Sequence, residues 1–449
     1  MAASRDRLTR LLAASLRRQV KPGSRLTVGY SGGIDSSVLL NLLADLRQSA
    51  GFTLAAVHVH HGLSPDADAW ALHCAEICRC LAVPLETRRV EVRPSGEGLE
   101  AAARAARYRV FAQLDTDYLL LAHHRDDQAE TVMLQLLRGS GLKGLAAMPE
   151  VRPLTDQLKL LRPLLAATRL QIETCAAELG LVWIDDASNA DPGLARNALR
   201  HRVFPGLIEH FPDALKSLAQ AASQFAEAAA LIDTLAELDG RNAISDSGLD
   251  MDALHALPEP RARNLLRRFL ERSGAELQQQ HIREALRQLL AARPDAQLRI
   301  VFDAGFGKVI LRRHQRWAVL THEQPMPESK AAGVVTWHGE ACLKLGEAGY
   351  LQFQATTGAG LRLVPGEVSI RFRQGGERMR TQPGRPRRTL KNLLREAAIP
   401  PWQREMLPLV YVGTELAWAA GIGADHDFLV KADATGWLIS WQELPHTAG

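Results

Sequence analysis

Residues Tyr30-Ser31-Gly32-Gly33-Ile34-Asp35-Ser36-Ser37 combine small, hydroxyl and acidic side chains in one short run. Consecutive glycines let backbone N–H groups converge on an anion, and a helix starting behind them adds its partial positive charge. Ser31, Gly32, Gly33 and Ile34 therefore read as a phosphate cradle, with hydroxyl donors on Ser31, Ser36 and Ser37. Asp35 is a hard oxygen ligand that suits a magnesium ion held against the phosphates. No Gly-Lys-Ser/Thr follows, so this is not Walker A, and it is not G-x-G-x-x-G. The competing reading is a tight turn with a Ser/Asp helix cap.

Other polar clusters follow strand-like runs. His58-Val59-His60-His61 has the wrong spacing for a helical zinc pair and reads as a loop lining the nucleotide or base pocket, with His58 nearest the nucleotide. Arg104 and Arg107 share a helix face, and two guanidinium forks there suit the phosphates of ATP or RNA. In His123-His124-Arg125-Asp126-Asp127-Gln128-Ala129-Glu130, the spacing of Asp127 and Glu130 fits an N-cap with an acidic third residue. Capping does not account for His123, His124 and Asp126, which are expected to serve a site. Asp185 to Asp191, then Arg196-Asn197 and Arg200, set acidic and amide groups before a basic helix, a strip able to hold a polynucleotide. Asn189, Arg196, Asn197 and Arg200 are its candidate contacts.

These clusters need a scaffold. Strand-like runs at Leu26–Tyr30, Leu54–His60, Leu85–Val92 and Tyr118–Ala122 alternate with helical runs at Ser36–Leu46, Trp70–Leu81, Leu99–Leu114 and Asp127–Arg138. The alternation predicts an α/β domain, a doubly wound parallel sheet over residues 1–210, with ligands outside the carboxyl ends of its strands. Leu8, Leu11, Leu12 and Leu16 predict a first helix packed on that domain. Residues 211–330 read as a mainly helical domain, Ala/Leu-rich without strand signal to Ala292 and strand-like from Leu298. Residues 360–449 read as a small α+β domain.

The loop Ser31–Ser37 resembles that of the ATP pyrophosphatase (PP-loop) superfamily. Joined with H-H-x-D-D-Q-x-E-T at His123–Thr131, R-G-S-G-L-x-G-L at Arg138–Leu145 and S-N-x-D…R-N-x-x-R at Ser188–Arg200, it resembles the tRNA(Ile)-lysidine synthetase family. Arg373–Arg378 and Pro400–Arg404 resemble that family's last domain. Leu194 and Ala187 depart from its pattern, which has an aromatic residue at the first and a small polar residue or proline at the second. The resemblance implies a cytoplasmic enzyme that binds ATP, magnesium, free L-lysine and the isoleucine tRNA with anticodon CAU. Adenylation of the wobble cytidine at its C2 oxygen would precede attack by the lysine amine, with AMP and pyrophosphate released. Asp127 and Glu130 are the carboxylates expected to seat that amine and take its proton. A homodimer is compatible with this reading. A tRNA thiolation enzyme of the same superfamily is the rival, although it would normally need paired cysteines and no C-x-x-C occurs here. A non-catalytic RNA-binding protein would not need the intact acidic cluster.

Composition agrees with a reducing compartment. The five cysteines, Cys74, Cys78, Cys80, Cys175 and Cys342, form no disulfide framework, and the first three read as buried thiols of a helix. No apolar run is long enough for a membrane span. Net charge is only +4, yet residues 371–395 hold nine basic side chains against Glu377 alone. Arg385, Arg387, Arg388 and Lys391 are therefore expected to grip tRNA phosphates away from the anticodon.

Overall fold

The structure, a computed structural model, describes residues 3–92, 99–186, 195–294, 296–305, 307–322, 334–346 and 349–442. The chain forms two compact units, Met1–Thr234 and Leu235–Gly449. In the first, α1 (Ala3–Gln19), β1 (Arg25–Gly29), α2 (Ile34–Ala50), β2 (Thr53–His60), α3 (Ala67–Cys80), β3 (Leu85–Arg89), α4 (Leu99–Phe111), β4 (Tyr118–Leu120) and α5 (Arg125–Leu137) alternate. The short α6 (Leu142–Leu145), β5 (Val151–Pro153), β6 (Lys159–Leu161) and α7 (Arg169–Glu178) follow, then α8 (Ala195–Ala198), α9 (Phe204–His210) and α10 (Ala214–Gly240).

Sheet order is β3-β2-β1-β4-β6-β5, parallel throughout except for the edge strand β5. Both faces of the inner strands are buried, as a doubly wound sheet requires, while the edge strand β3 is largely exposed. Leu120 and Leu161 enter one core with Leu8, Leu12, Leu39 and Leu43 of the helices. Their neighbours Leu119 and Leu160 enter another with Val57 and Phe111. This period of two is set by the pleat, which sends successive side chains to opposite faces. Strand order reverses between β1 and β4, so a crevice opens beyond their carboxyl ends. The phosphate-loop residues follow β1, and His123 and His124 follow β4.

The helix after β4 begins earlier than expected. α5 starts at Arg125, and its N-cap is His124, whose ring accepts from the Asp126 N–H while Asp127 accepts from the His124 N–H. Asp127 is thus the third helical residue of the capping box, not the cap. Histidine is an uncommon cap, which hid the boundary.

In the second unit, β7 (Ile244–Ser245) and β8 (Gly248–Asp250) interrupt the stretch expected to lack strands. Two- and three-residue strands are too short to show a period. They join β9 (Ile300–Ala304), β10 (Gly307–His314) and β11 (Trp317–His322) in a sheet ordered β7-β8-β11-β10-β9, packed by α11 (Met251–Ala256), α12 (Glu259–Glu271) and α13 (Gln279–Ala291). Farther on, β12 (Val335–Trp337), β13 (Cys342–Lys344), β14 (Tyr350–Thr357), β15 (Val368–Phe372), β16 (Arg378–Met379), β17 (Arg388–Thr389), β18 (Pro408–Val412), β19 (Glu415–Ala419), β20 (Gly423–Ala424) and β21 (Thr435–Gln442) build three small sheets. Their core centres on Trp337, stacked 4.6 Å from Phe353. Among the described residues no helix is long and apolar enough to cross a membrane.

Candidate active site

The loop after β1 is held open by its own backbone. Gly32 sits at φ +84°, and a Cβ there would lie 2.3 Å from Ile184 Cδ1 and 3.0 Å from Cys74 Sγ. Gly33 caps α2 in extended conformation without any side-chain cap. The expected alternative, a Ser/Asp cap, is therefore absent, and the first-turn N–H groups of α2 stay available to an anion. The hydroxyls brace the loop: Ser36 Oγ donates to the Gly33 carbonyl at 3.0 Å and lies 3.1 Å from Ser31 Oγ, while Ser37 Oγ donates to the Gly32 carbonyl at 3.4 Å. His58 supports the loop from beneath instead of lining a pocket. It is buried, and its Nδ1 lies 2.9 Å from the Tyr30 carbonyl oxygen. Because a carbonyl only accepts, Nδ1 carries the proton. Burial lowers the pKa of His58, in keeping with a neutral ring.

A row of carboxylates continues from the loop. Arg169 Nη1 donates to both Asp35 oxygens, at 3.0 and 2.9 Å. His124 Nε2 lies 3.7 Å from Asp35 Oδ1 and 3.5 Å from Asp127 Oδ2. Its Nδ1 accepts from Asp126, so in the neutral ring Nε2 holds the proton between the two carboxylates. Arg200 reaches Asp127 at 3.4 Å and Glu130 at 2.7 Å, and Arg196 lies 3.2 Å from Glu130. Glu130 is 1% exposed. Burial pushes its carboxyl up, and Arg200 and Arg196 pull it back without cancelling the rise. Burial also raises Asp35 despite His124 and Arg169. Burial pushes Asp127 the same way, but His124, His123, the His124 N–H and Arg196 together outweigh it and hold that carboxyl below its usual range.

Arg196 and Arg200, expected on a polynucleotide strip, thus point at the acidic row. Asn197 is buried beside them on α8, and Asn189 lies outside the described residues. Arg104 and Arg107 diverge: Arg104 covers the Tyr108 ring, while the charge of Arg107 acts on His61 and His123. Burial drives His123 down to about 3, despite the opposing pull of Asp127. Asp126 stays partly exposed at the start of α5. Cys74 and Cys78 are buried thiols that desolvation pushes up to about 12 and about 11, whereas Cys80 is exposed.

Sequence reasoning missed Arg169. A signal existed: a basic residue in the first turn of α7 opposes the helix dipole, so its charge calls for a partner elsewhere. The donor set fits the implied groups. Uncapped N–H groups and hydroxyls suit phosphates, and the Asp35 carboxylate, already holding one cation in Arg169, suits a hard metal ion.

The basic segment of the second unit is partly neutralised. Arg387 pairs with Glu415 at 3.1 Å and Asp427 at 3.2 Å, and Arg388 pairs with Glu396. Arg380 pairs with Asp427 at 3.1 Å. Arg385 and Lys391 are exposed, and no described side chain pairs with either.

Comparison with known proteins gives a consistent result. Family models match in chain order: a PP-loop domain over residues 3–207, a TilS substrate binding domain over 249–330 and a TilS substrate C-terminal domain over 368–441. The tRNA(Ile)-lysidine synthase of Nitrosomonas europaea is 41% identical over 435 residues, covering 95% of this chain and 94% of its own. Those of an Azoarcus species and of Coxiella burnetii are 43% and 38% identical, over 94% and 93% of this chain and 92% and 93% of theirs. Among solved structures, the U34-tRNA thiolase of Methanococcus maripaludis is 18% identical, with a TM-score of 0.44 over 51% of this chain and 81% of that one.

Proposed function

The chain belongs to the tRNA(Ile)-lysidine synthase family, and from that premise we propose how its side chains divide the ATP-dependent ligation of lysine to C2 of the wobble cytidine of tRNA(Ile) with anticodon CAU. The carboxylate row running from the phosphate loop through Asp35, Asp127 and Glu130 carries this reading. It sets two more acidic groups beside the one that faces the triphosphate, joined by His124 and Arg200.

The N–H groups and serine hydroxyls of Ser31–Ser37 hold the ATP phosphates. Asp35 would bind magnesium, which neutralises charge developing on pyrophosphate. The cytidine C2 oxygen attacks the α-phosphate, and pyrophosphate leaves. This makes C2 electrophilic, because an adenylate leaves far more readily than an amide oxygen. The lysine ε-amine then attacks C2 and expels AMP. Freeing a lysine ammonium of its proton at pH 7 costs ~4.6 kcal/mol, so the amine needs a carboxylate beside it. Asp127, held ionised, seats the ammonium. Glu130, with its raised affinity for protons, accepts the proton. Arg196 and Arg200 then release Glu130 toward the adenylate phosphate. The substrates are cytoplasmic, and so is the enzyme.

Mass analysis of tRNA nucleosides after incubation with ATP and lysine tests the reaction, with lysidine, AMP and pyrophosphate as the expected products. Asp127→Asn and Glu130→Gln should still form the adenylate and fail to form lysidine. Loss of adenylation with lysine binding intact would reverse their assignment, and ADP as a product would reject the chemistry.

A further inference from the structure

A second cationic cluster lies apart from the carboxylate row. The guanidinium carbons of Arg104 and Arg152 lie 5.0 and 5.4 Å from the Tyr108 ring centroid. Arg104 Nη2 donates to the phenol oxygen at 3.5 Å, and the charges of Arg152 and Arg162 act on the same side chain. Arg162 is 2% exposed. Its Nη1 donates to the Pro149 carbonyl at 2.8 Å, and its buried Nε has no partner. Arg152 Nη1 reaches only the Pro153 carbonyl, at 3.5 Å. No carboxylate of a described residue pairs with any of the three arginines.

Three guanidiniums share one phenol; Arg104 is exposed and Arg152 half-buried, but Arg162 is buried, and a buried charge is costly unless an anion arrives. Burial pushes the phenol up, yet the arginines outweigh it and hold it below its usual range. The cluster borders the reacting site. Arg162 directly follows β6, Leu121 N donates to the Leu161 carbonyl at 3.0 Å, and the charge of Arg162 acts on His123. It is also distinct from the ATP phosphate loop. That loop follows β1, and β4 stands between β1 and β6. Two strand spacings separate the two places by roughly 10 Å.

We propose that Arg104, Tyr108, Arg152 and Arg162 form a phosphate subsite that takes a backbone phosphodiester of the tRNA beside the reacting base. The inference rests on the proposed function for its ligand. The guanidinium forks bind the phosphate oxygens, and the Tyr108 hydroxyl, relieved of its arginine donors, turns donor to the same anion.

The test uses the full chain, a tRNA(Ile) transcript with CAU anticodon, and Mg–ATP in separate titrations. Arg152→Ala should weaken tRNA binding roughly tenfold and flatten its log–log salt dependence by about 0.7, with unchanged ATP affinity. Arg162→Lys keeps the charge but loses the fork, and should weaken tRNA binding while retaining most of the salt slope. Unchanged tRNA affinity and slope in Arg152→Ala, with normal melting, would reduce the cluster to a clasp for Tyr108. A fall in ATP affinity with an unchanged tRNA slope would hand the anion to ATP and overturn the assignment. If the wild-type protein forms no lysidine, the functional reading fails, and the salt slopes still judge the subsite.

Discussion

Replacing Gly32 by alanine combines two separable costs. The first is conformational: φ is +84°, and an L-residue held in that region costs ~1–2 kcal/mol. The second is steric. The new methyl would stand 2.3 Å from Ile184 Cδ1 and 3.0 Å from Cys74 Sγ, an overpacking of ~1–3 kcal/mol. Together Gly32→Ala should destabilise the chain by ~2–5 kcal/mol and displace the loop, abolishing ATP binding at ordinary concentrations. Ile184→Val deletes the offending Cδ1 and leaves Cγ1 at 3.3 Å, a tight but tolerable contact. Ile184 is half-buried, so that change alone should cost near the lower end of ~0.5–1.5 kcal/mol. In the double variant ~1–2 kcal/mol should return, leaving the conformational cost, the Cys74 contact and the milder Cγ1 contact. That coupling exceeds the ~0.5 kcal/mol within which independent sites add. Urea unfolding measures the cycle, and ATP titration follows the loop. Additive losses would refute the steric account, and full recovery would refute the conformational one.

Two further outcomes follow from the charges. The folded-state pKa of His123, about 3, lies below its unfolded value of ~6.5, so the folded chain binds fewer protons there. Its contribution to stability is complete above pH ~6.5 and is lost as pH falls toward 3. His123→Gln should flatten acid denaturation over that window, and an unchanged pH profile would contradict the burial argument. In the second unit, removing Arg385 and Lys391 together should flatten the tRNA salt slope by about 0.7–0.9 per lost contact, more than removing Arg387 and Arg388. Equal slopes for the two doubles would show that ion pairing does not withhold Arg387 and Arg388 from RNA.

Local patterns made the catalytic unit readable. The apolar β1 run, the Gly-Gly break and the leucines of α2 lie in sequence order, so strand, loop and helix could be placed together. The same holds for β4, His123 and His124. What escaped depends on contacts remote in sequence. Arg169 meets Asp35 across 134 residues, and no local pattern encodes that pair. Arg196 and Arg200 looked like an RNA strip because Glu130, which they face, lies a helix earlier. The charge count over residues 371–395 passed over ion-pair partners for the same reason. Glu396, Glu415 and Asp427, which neutralise Arg387 and Arg388, stand outside the window. The start of α5 was misplaced by an ambiguity of type, because Arg125-Asp126-Asp127 reads equally as loop or first turn.

The pairing of β14 with β21 bears on how the chain is made. Tyr350 meets Gln442 and Thr357 meets Thr435, an eight-residue ladder. Strands β1 to β4, by contrast, are complete by Leu120, and the whole parallel sheet by Leu161. A polypeptide emerging from the ribosome can therefore finish its catalytic sheet hundreds of residues before β14 finds its partner. Until Thr435–Gln442 emerges, Tyr350–Thr357 presents an unpaired edge with alternating buried-type residues, including Leu351 and Phe353. Such an edge is a template for wrong pairing. Non-local ladders also close slowly. Interrupted synthesis of this protein should thus yield a nucleotide-binding unit fused to an aggregation-prone tail, and the last eight strand residues should decide whether the product stays dissolved.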